Sequence, residues 1–134
     1  MATEYVLDGF RITTLETFYE EISRVLIPGR QWGRNLDAFN DILRGCFGTP
    51  DEGFTLKWSH SAASKKKLGY PETVRQLEIR LGCCHPSNRR AVRRMLSDAR
   101  AGVGQTVFDW LVEIIRDHGS GGEQAEDNVR LVLD

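Results

Sequence analysis

Residues 31–45 read Q-W-G-R-N-L-D-A-F-N-D-I-L-R-G, and this stretch carries the pattern that decides the fold. Apolar residues recur at helical spacing through this stretch and one position beyond it, and they are Leu36, Phe39, Ile42, Leu43 and Cys46. This spacing predicts one short amphipathic helix whose apolar stripe faces a core. Asn35 precedes the stripe as the predicted N-cap, and Gly45 lies near the predicted end. The rest of the chain must therefore supply an apolar surface that covers this helix.

The opposite face of the predicted helix is polar and carries Asp37, Asn40, Asp41 and Arg44. Asp37 falls in the first turn, where the helix dipole favours an anion. Asp37 and Asp41 are four positions apart, and a like-charge pair at this spacing costs about 0.2–0.5 kcal/mol. We expect a basic partner to use these carboxylates. A solvated face, in which Asp41 pairs with Arg44, is the alternative.

The run over residues 32–45, W-G-x-N-L-D-A-F-x-D-x-L-x-G, resembles the signature of the barstar family, intracellular protein inhibitors of secreted ribonucleases. The similarity extends to residues 5–10 and 54–58 and, more weakly, to 106–119 and 128–134. It implies an α/β fold in which a small three-stranded parallel sheet is flanked by helices. It also implies a protein partner, either a secreted ribonuclease or another basic toxin.

The resemblance further implies which side chains contact that partner. Asp41 is the main phosphate mimic and Asp37 supports it. The surrounding contact surface comprises Gly33, Asn35, Leu36, Ala38, Asn40 and Arg44. Glu113 or Asp117, on the last predicted helix, supplies a further acidic contact where family members present glutamates.

Three positions depart from the family pattern. Gln31, Asn40 and Cys46 stand where the best-studied members have aromatic residues, some of which contact the enzyme. Aromatic anchors are common hot spots of protein interfaces, so their absence leaves the identity of the target open.

The length of 134 residues predicts a single domain, residues 1–134. A hydrophobic content of 40% with 28% charged residues is typical of a globular chain. Strands are predicted at 5–7, 54–58 and 129–133, with an extended segment at 10–12. In addition to the helix described above, helices are predicted at 15–26, 71–81, 88–99 and 106–118. Strands separated by helices favour a parallel sheet.

Residues 66–105 are predicted to form a basic helical insertion within this domain. Residues 65–100 hold ten basic and three acidic residues, whereas both flanking parts of the chain are acidic. Arg89, Arg90, Arg93 and Arg94 recur on one helical face. We expect them to be solvated or to face the acidic body. The alternative is a nucleic-acid or ribonucleoprotein module that binds phosphates, although only Tyr70 is available there for base stacking.

Other chemistry is poorly supported by the sequence. Cys83, Cys84 and His85 are too close together to surround one tetrahedral metal ion, and no second ligand pair follows at finger spacing. A hydrolase centred on His60 lacks a motif that places a nucleophile or partner base. We therefore expect no enzyme activity, metal or cofactor. The chain has no apolar run of membrane-span length and no secretory signal, which predicts a cytoplasmic protein that keeps its three cysteines reduced.

Overall fold

The computed structural model describes residues 3–134, which form three strands and six α-helices. In chain order these are β1 (Thr3–Asp8), α1 (Leu15–Val25), α2 (Leu36–Leu43), β2 (Phe54–Ser59), α3 (Ser61–Lys67), α4 (Tyr70–Cys83), α5 (Arg89–Arg100), α6 (Val107–Asp117) and β3 (Val129–Leu133). Short 3-10 turns occupy Gly9–Arg11, Pro86–Asn88 and Ala125–Asp127.

The three strands form one parallel sheet in the order β1, β2, β3. Thr3 pairs with Phe54, and Phe54 pairs with Val129. Parallel neighbours need long crossover connections, which the helices provide here. The predicted α/β fold, with a small three-stranded parallel sheet flanked by helices and β2 at its centre, is confirmed.

The main core surrounds the aromatic side chains of β2, α1 and α2. Phe54, Leu56 and Trp58 of β2 are buried. The Trp58 Nε1–H donates to Ser64 Oγ at 2.9 Å, so this buried polar group is satisfied. The Phe18 ring lies 5.5 Å from Trp58 and 5.1 Å from Phe39, centroid to centroid. Phe39 therefore anchors α2 to the centre of the sheet.

Two local predictions are wrong. Of residues 10–12, which were predicted to be extended, only Ile12 is extended. Phe10 and Arg11 belong to a 3-10 turn at Gly9–Arg11, because the Asp8 carboxylate accepts the backbone N–H of Phe10 at 2.9 Å. Cys46, placed on the buried stripe by its spacing, is exposed. Helix α2 has already ended, and Gly45, with φ of 96°, turns the chain away from the helical path.

Helices α4 and α5 pack against each other as a hairpin with a small core of its own, formed by Leu77, Val92, Leu96 and Ala99. Trp110 of α6 packs against both this cluster and the main core. The hairpin is therefore attached to the body through α6.

Side chains of helix α4 also accept hydrogen bonds from the free backbone N–H groups at the N-termini of two other helices. The first N–H groups of a helix have no partner within it. Glu72, only 6% exposed, accepts the N–H of Leu15 at the start of α1 at 2.8 Å. The neighbouring Thr73 Oγ1 accepts the N–H of Val107 at the start of α6 at 2.9 Å. These two bonds hold α4 against the body of the protein.

The charge of Glu72 is stabilised despite its burial. Burial raises the pKa of the carboxyl, but hydrogen bonds from Arg75, from the Leu15 amide and from Gln76 outweigh burial and hold the pKa below its ordinary value of 4.5. A carboxyl with a lowered folded-state pKa stabilises the fold above its unfolded-state pKa, and this contribution is lost as the pH falls through the folded value.

We therefore expect Glu72→Gln to lower the free energy of unfolding by about 1.5–3 kcal/mol at pH 7, since a charged hydrogen-bond acceptor is lost. The difference from wild type should shrink as the pH falls below 4.5 and through the lowered pKa of the folded state, where the wild-type carboxyl also becomes protonated. Urea unfolding at pH 7 and pH 3.5 measures both effects. Glu78→Gln is the matched control, because Glu78 lies on the same helix but is 54% exposed. A difference that is the same at both pH values contradicts this account.

Candidate protein-binding site

The two faces of α2 are sharply different. Phe39, Ile42 and Leu43 are buried, whereas Asp37 and Arg44 on the outer face are exposed. Asp41 on the same face is 48% exposed in its side chain. The predicted amphipathic helix is thus confirmed, and its polar face is open to a partner.

The N-terminus of α2 is organised by a short polar cluster. The Asn35 side chain accepts the N–H of Ala38 at 2.8 Å, which confirms Asn35 as the N-cap. A Cβ on Gly33 would lie 2.9 Å from the Asn35 amide nitrogen, so glycine lets the preceding loop pack closely against the cap. Leu36, at the first helical position, is half-buried against the main core.

The loop that leads into α2 is held by Trp32. Its ring packs edge-on against Tyr19, with centroids 5.5 Å apart, and its Nε1–H donates to Ser23 Oγ at 2.6 Å. Burial, reinforced by the Glu16 charge, raises the pKa of the Tyr19 hydroxyl to about 12, so Tyr19 stays neutral at physiological pH. Trp32 therefore packs against the main core at the entrance of α2.

The two carboxylates of α2 differ in their partners. Asp41 lies 3.6 Å from the Arg44 guanidinium, whose Nε–H donates to Gln124 at 2.6 Å. Such a solvated ion pair is weak, typically below about 1 kcal/mol. Asp37 makes no hydrogen bond or ion pair through its side chain within residues 3–134. Both carboxylates are therefore available to cationic groups of a partner.

Asn40 differs from the two carboxylates, because its side chain has a partner inside the protein and belongs to a polar network around the buried His118. His118, which is fully buried, has its Nε2 atom 2.6 Å from the Asn40 side-chain oxygen and donates from Nδ1 to Asp127 at 2.6 Å. His118 follows the last residue of α6, so its contact with Asn40 ties α6 to α2.

Glu113 and Asp117 do not join the α2 carboxylates in one cleft. They line a groove along α6 with Gln105, Arg116 and Gly121, and no residue of α2 lines that groove. Glu113 accepts a hydrogen bond from Gln105 at 2.8 Å.

The start of α2 instead shares a cleft with α4. Asn35, Leu36 and Asp37 form one wall, and the cleft of about 400 Å³ is closed by residues of α1, α4 and α6, which are Leu15, Tyr19, Gln76, Ile79, Arg80, Cys83 and Trp110. The Arg80 guanidinium lies 5.4 Å above the Trp110 ring, within the range of a cation–π contact. Sequence reasoning missed α4 here, because no local pattern reports which distant helix packs beside the motif.

The four arginines of α5 are exposed to solvent. Arg89, Arg90, Arg93 and Arg94 are exposed, and within residues 3–134 none of them forms an ion pair. Arg89 and Arg93 line a groove between α4 and α5 with Arg100, which lies 3.5 Å from Glu78. Two arrangements were predicted, solvation or packing against the acidic body, and the exposure of all four side chains supports solvation.

The remaining sequence candidates stay isolated. His60 stacks on Phe10 with ring centroids 4.0 Å apart, at an exposed position after β2. Cys83 is exposed at the end of α4, where its thiol contacts the Ile79 carbonyl oxygen. In the described part of the chain, no three His, Cys, Asp or Glu side chains are grouped to hold a metal ion. No described helix is long and apolar enough to cross a lipid bilayer.

The fold and this face define a small α/β protein that presents carboxylates from one short, well-anchored helix. The family model for Barstar (barnase inhibitor) matches residues 2–81, which include β1 to α3, all of α2 and most of α4. The chain therefore belongs to the barstar family, whose members are ribonuclease inhibitors rather than enzymes. No curated protein matches the chain.

Proposed function

We propose that this protein inhibits a small basic ribonuclease of the barnase kind by covering its active site with the outer face of α2. The observation that carries this proposal is the exposed pair of carboxylates, Asp37 and Asp41, inside the segment that matches the family. Both side chains sit on a helix whose other face is locked into the core. The carboxylates are thus held in position before any partner arrives.

The mechanism follows from the chemistry of RNA cleavage. A ribonuclease site must be basic because it holds phosphates, so an inhibitor can place carboxylates where the phosphates would bind. In this proposal Asp41 is the main phosphate mimic and Asp37 supports it. Gly33, Asn35, Leu36 and Ala38 form the adjacent contact surface. Occupation of the phosphate positions excludes RNA without any chemical step.

The charge distribution also favours a basic partner. Residues 1–64 hold six basic and nine acidic residues, and residues 101–134 hold two and seven. An acidic body accelerates association with a basic enzyme, and this acceleration falls as salt screens the charges. A cell that makes such a ribonuclease would be protected by an inhibitor kept in its cytoplasm. We therefore infer an immunity role.

Titration of the purified chain into barnase, with hydrolysis of a fluorogenic RNA substrate as the readout, tests the proposal. We expect complete inhibition near one inhibitor per enzyme and association that slows as salt is raised. Full barnase activity at a large excess of the chain overturns the proposal. Bovine serum albumin at the same concentration controls for nonspecific protection of the assay.

A second candidate function is favoured by the solvated arginines of α5. We expect the alternative, nucleic-acid binding through Arg89, Arg90, Arg93 and Arg94, to produce RNA affinity that falls roughly 10-fold or more between 50 and 200 mM salt. The double variant Arg89→Glu/Arg93→Glu should abolish it, whereas Lys65→Glu/Lys66→Glu, which changes the same net charge on α3, should not. Fluorescence anisotropy with a labelled single-stranded RNA decides the matter. No binding at 50 mM salt removes this alternative.

A further inference from the structure

The outer face of α2 is too small and too polar to form a tight interface alone. The helix has eight residues, so it is about 12 Å long at about 1.5 Å per residue. Stable interfaces bury roughly 800 Å² on each partner and are centred on apolar or aromatic side chains. Asp37, Asp41 and Arg44 provide no such centre. Additional apolar surface must come from a neighbouring element.

Helix α4 provides that surface. Ile79 is 52% exposed and lines the cleft that contains Leu36 and Asp37. It also lines a second depression of about 430 Å³ that reaches Glu20, Arg34 and Asn35. The other exposed large apolar side chains of residues 3–134, which line neither of these cavities, are Val6, Phe10, Met95, Val103 and Leu133. Ile79 is therefore the exposed apolar side chain that adjoins the acidic helix.

The position of Ile79 is firmly held. Two turns earlier, Glu72 and Thr73 bind the N-termini of α1 and α6. One residue later, Arg80 lies over the Trp110 ring. A surface that is ordered before binding loses less conformational entropy in the complex, and this increases affinity.

We propose that α4 forms the second half of the ribonuclease-binding surface, with Ile79 as its apolar anchor. This inference rests on the proposed function. The occupant of the cleft is a surface segment of the ribonuclease that brings a basic side chain to Asp37 and an apolar side chain onto Ile79. The two cavities that Ile79 lines hold three carboxylates and two guanidinium groups, so acidic groups are in excess, which matches a basic partner; these groups are Asp37, Glu16, Glu20, Arg34 and Arg80. The helical hairpin thus contributes to recognition of the partner.

The test compares Ile79→Ser with Val103→Ser, since Val103 is equally exposed, at 56%, but lies on the loop before α6 and lines neither cavity. We expect Ile79→Ser to raise the Kd for barnase by about 10-fold to 30-fold, the effect of removing an interface anchor, and Val103→Ser to change it by less than about twofold. Isothermal titration calorimetry measures both. Hydrogen exchange of wild type should also show slower exchange at residues 76–83 once barnase is bound.

The possible outcomes separate this inference from the proposed function. In one outcome, Asp41→Ala weakens barnase binding, but Ile79→Ser binds like Val103→Ser and hydrogen exchange at residues 76–83 is unchanged. In that case α4 lies outside the interface, and only this inference is overturned. If wild type does not bind barnase, the proposed function fails and the inference fails with it. Urea unfolding of both serine variants checks that any loss of barnase affinity does not result from unfolding of the variant.

Discussion

Replacing Asp41 by alanine is expected to weaken binding of barnase by more than about 2 kcal/mol, or roughly 30-fold in Kd. A carboxylate buried at an interface beside Arg or Lys couples to them by about 1.5–7 kcal/mol in the complex of barnase with barstar, itself a member of this family. Removing Asp41 also leaves the cations of the enzyme buried without a partner. Inhibition titrations of wild type and variant measure this loss.

The stability of the Asp41→Ala variant should stay within about 0.5 kcal/mol of wild type. The variant loses the exposed ion pair between Asp41 and Arg44, which contributes little to stability. It also removes the repulsion between the carboxylates of Asp41 and Asp37. Glu4→Ala is the control, since Glu4 is exposed on edge strand β1 and its loss changes the net charge equally. Equal affinities of Asp41→Ala and Glu4→Ala would falsify the assignment of Asp41 to the interface.

Replacing Phe39 by alanine, on the opposite face of the same helix, is expected to lower the free energy of unfolding by about 3–5 kcal/mol. Phe39 is fully buried and packs edge-on against Phe18, with ring centroids 5.1 Å apart. Its truncation loses apolar burial and leaves a cavity that the rigid sheet cannot close. Urea unfolding followed by tryptophan fluorescence gives the value.

Phe10→Ala is the matched control for this experiment, because the same atoms are removed from a side chain that is 65% exposed. Its cost should stay near 0.5 kcal/mol, as for most surface substitutions. If the two phenylalanine variants unfold at the same urea concentration, α2 is not anchored as described. Together with Asp41→Ala, this pair separates the role of α2 in the fold from its role in binding.

Much of the fold was predictable because it depends on short-range patterns. Local patterns indicate both α2 and β2. Apolar residues recur at helical spacing in α2 and Asn35 caps its start, whereas buried residues alternate along β2. Burial in the core stabilises the same structures that these local patterns favour. The segment 32–45 also resembled the family signature, and the family match over residues 2–81 confirms that resemblance. The acidic face of α2 followed from the same helical period, since residues opposite a buried stripe are exposed.

The sequence by itself determined the α/β class, the parallel sheet and the helix that carries Asp37 and Asp41, because periodicity and capping act within a few residues. Only the tertiary structure decided that His118 holds Asn40, that Glu113 and Asp117 lie in another groove, and that Ile79 adjoins Asp37. These contacts join residues tens of positions apart. Their geometry depends on how whole helices pack around the sheet, which no local pattern encodes.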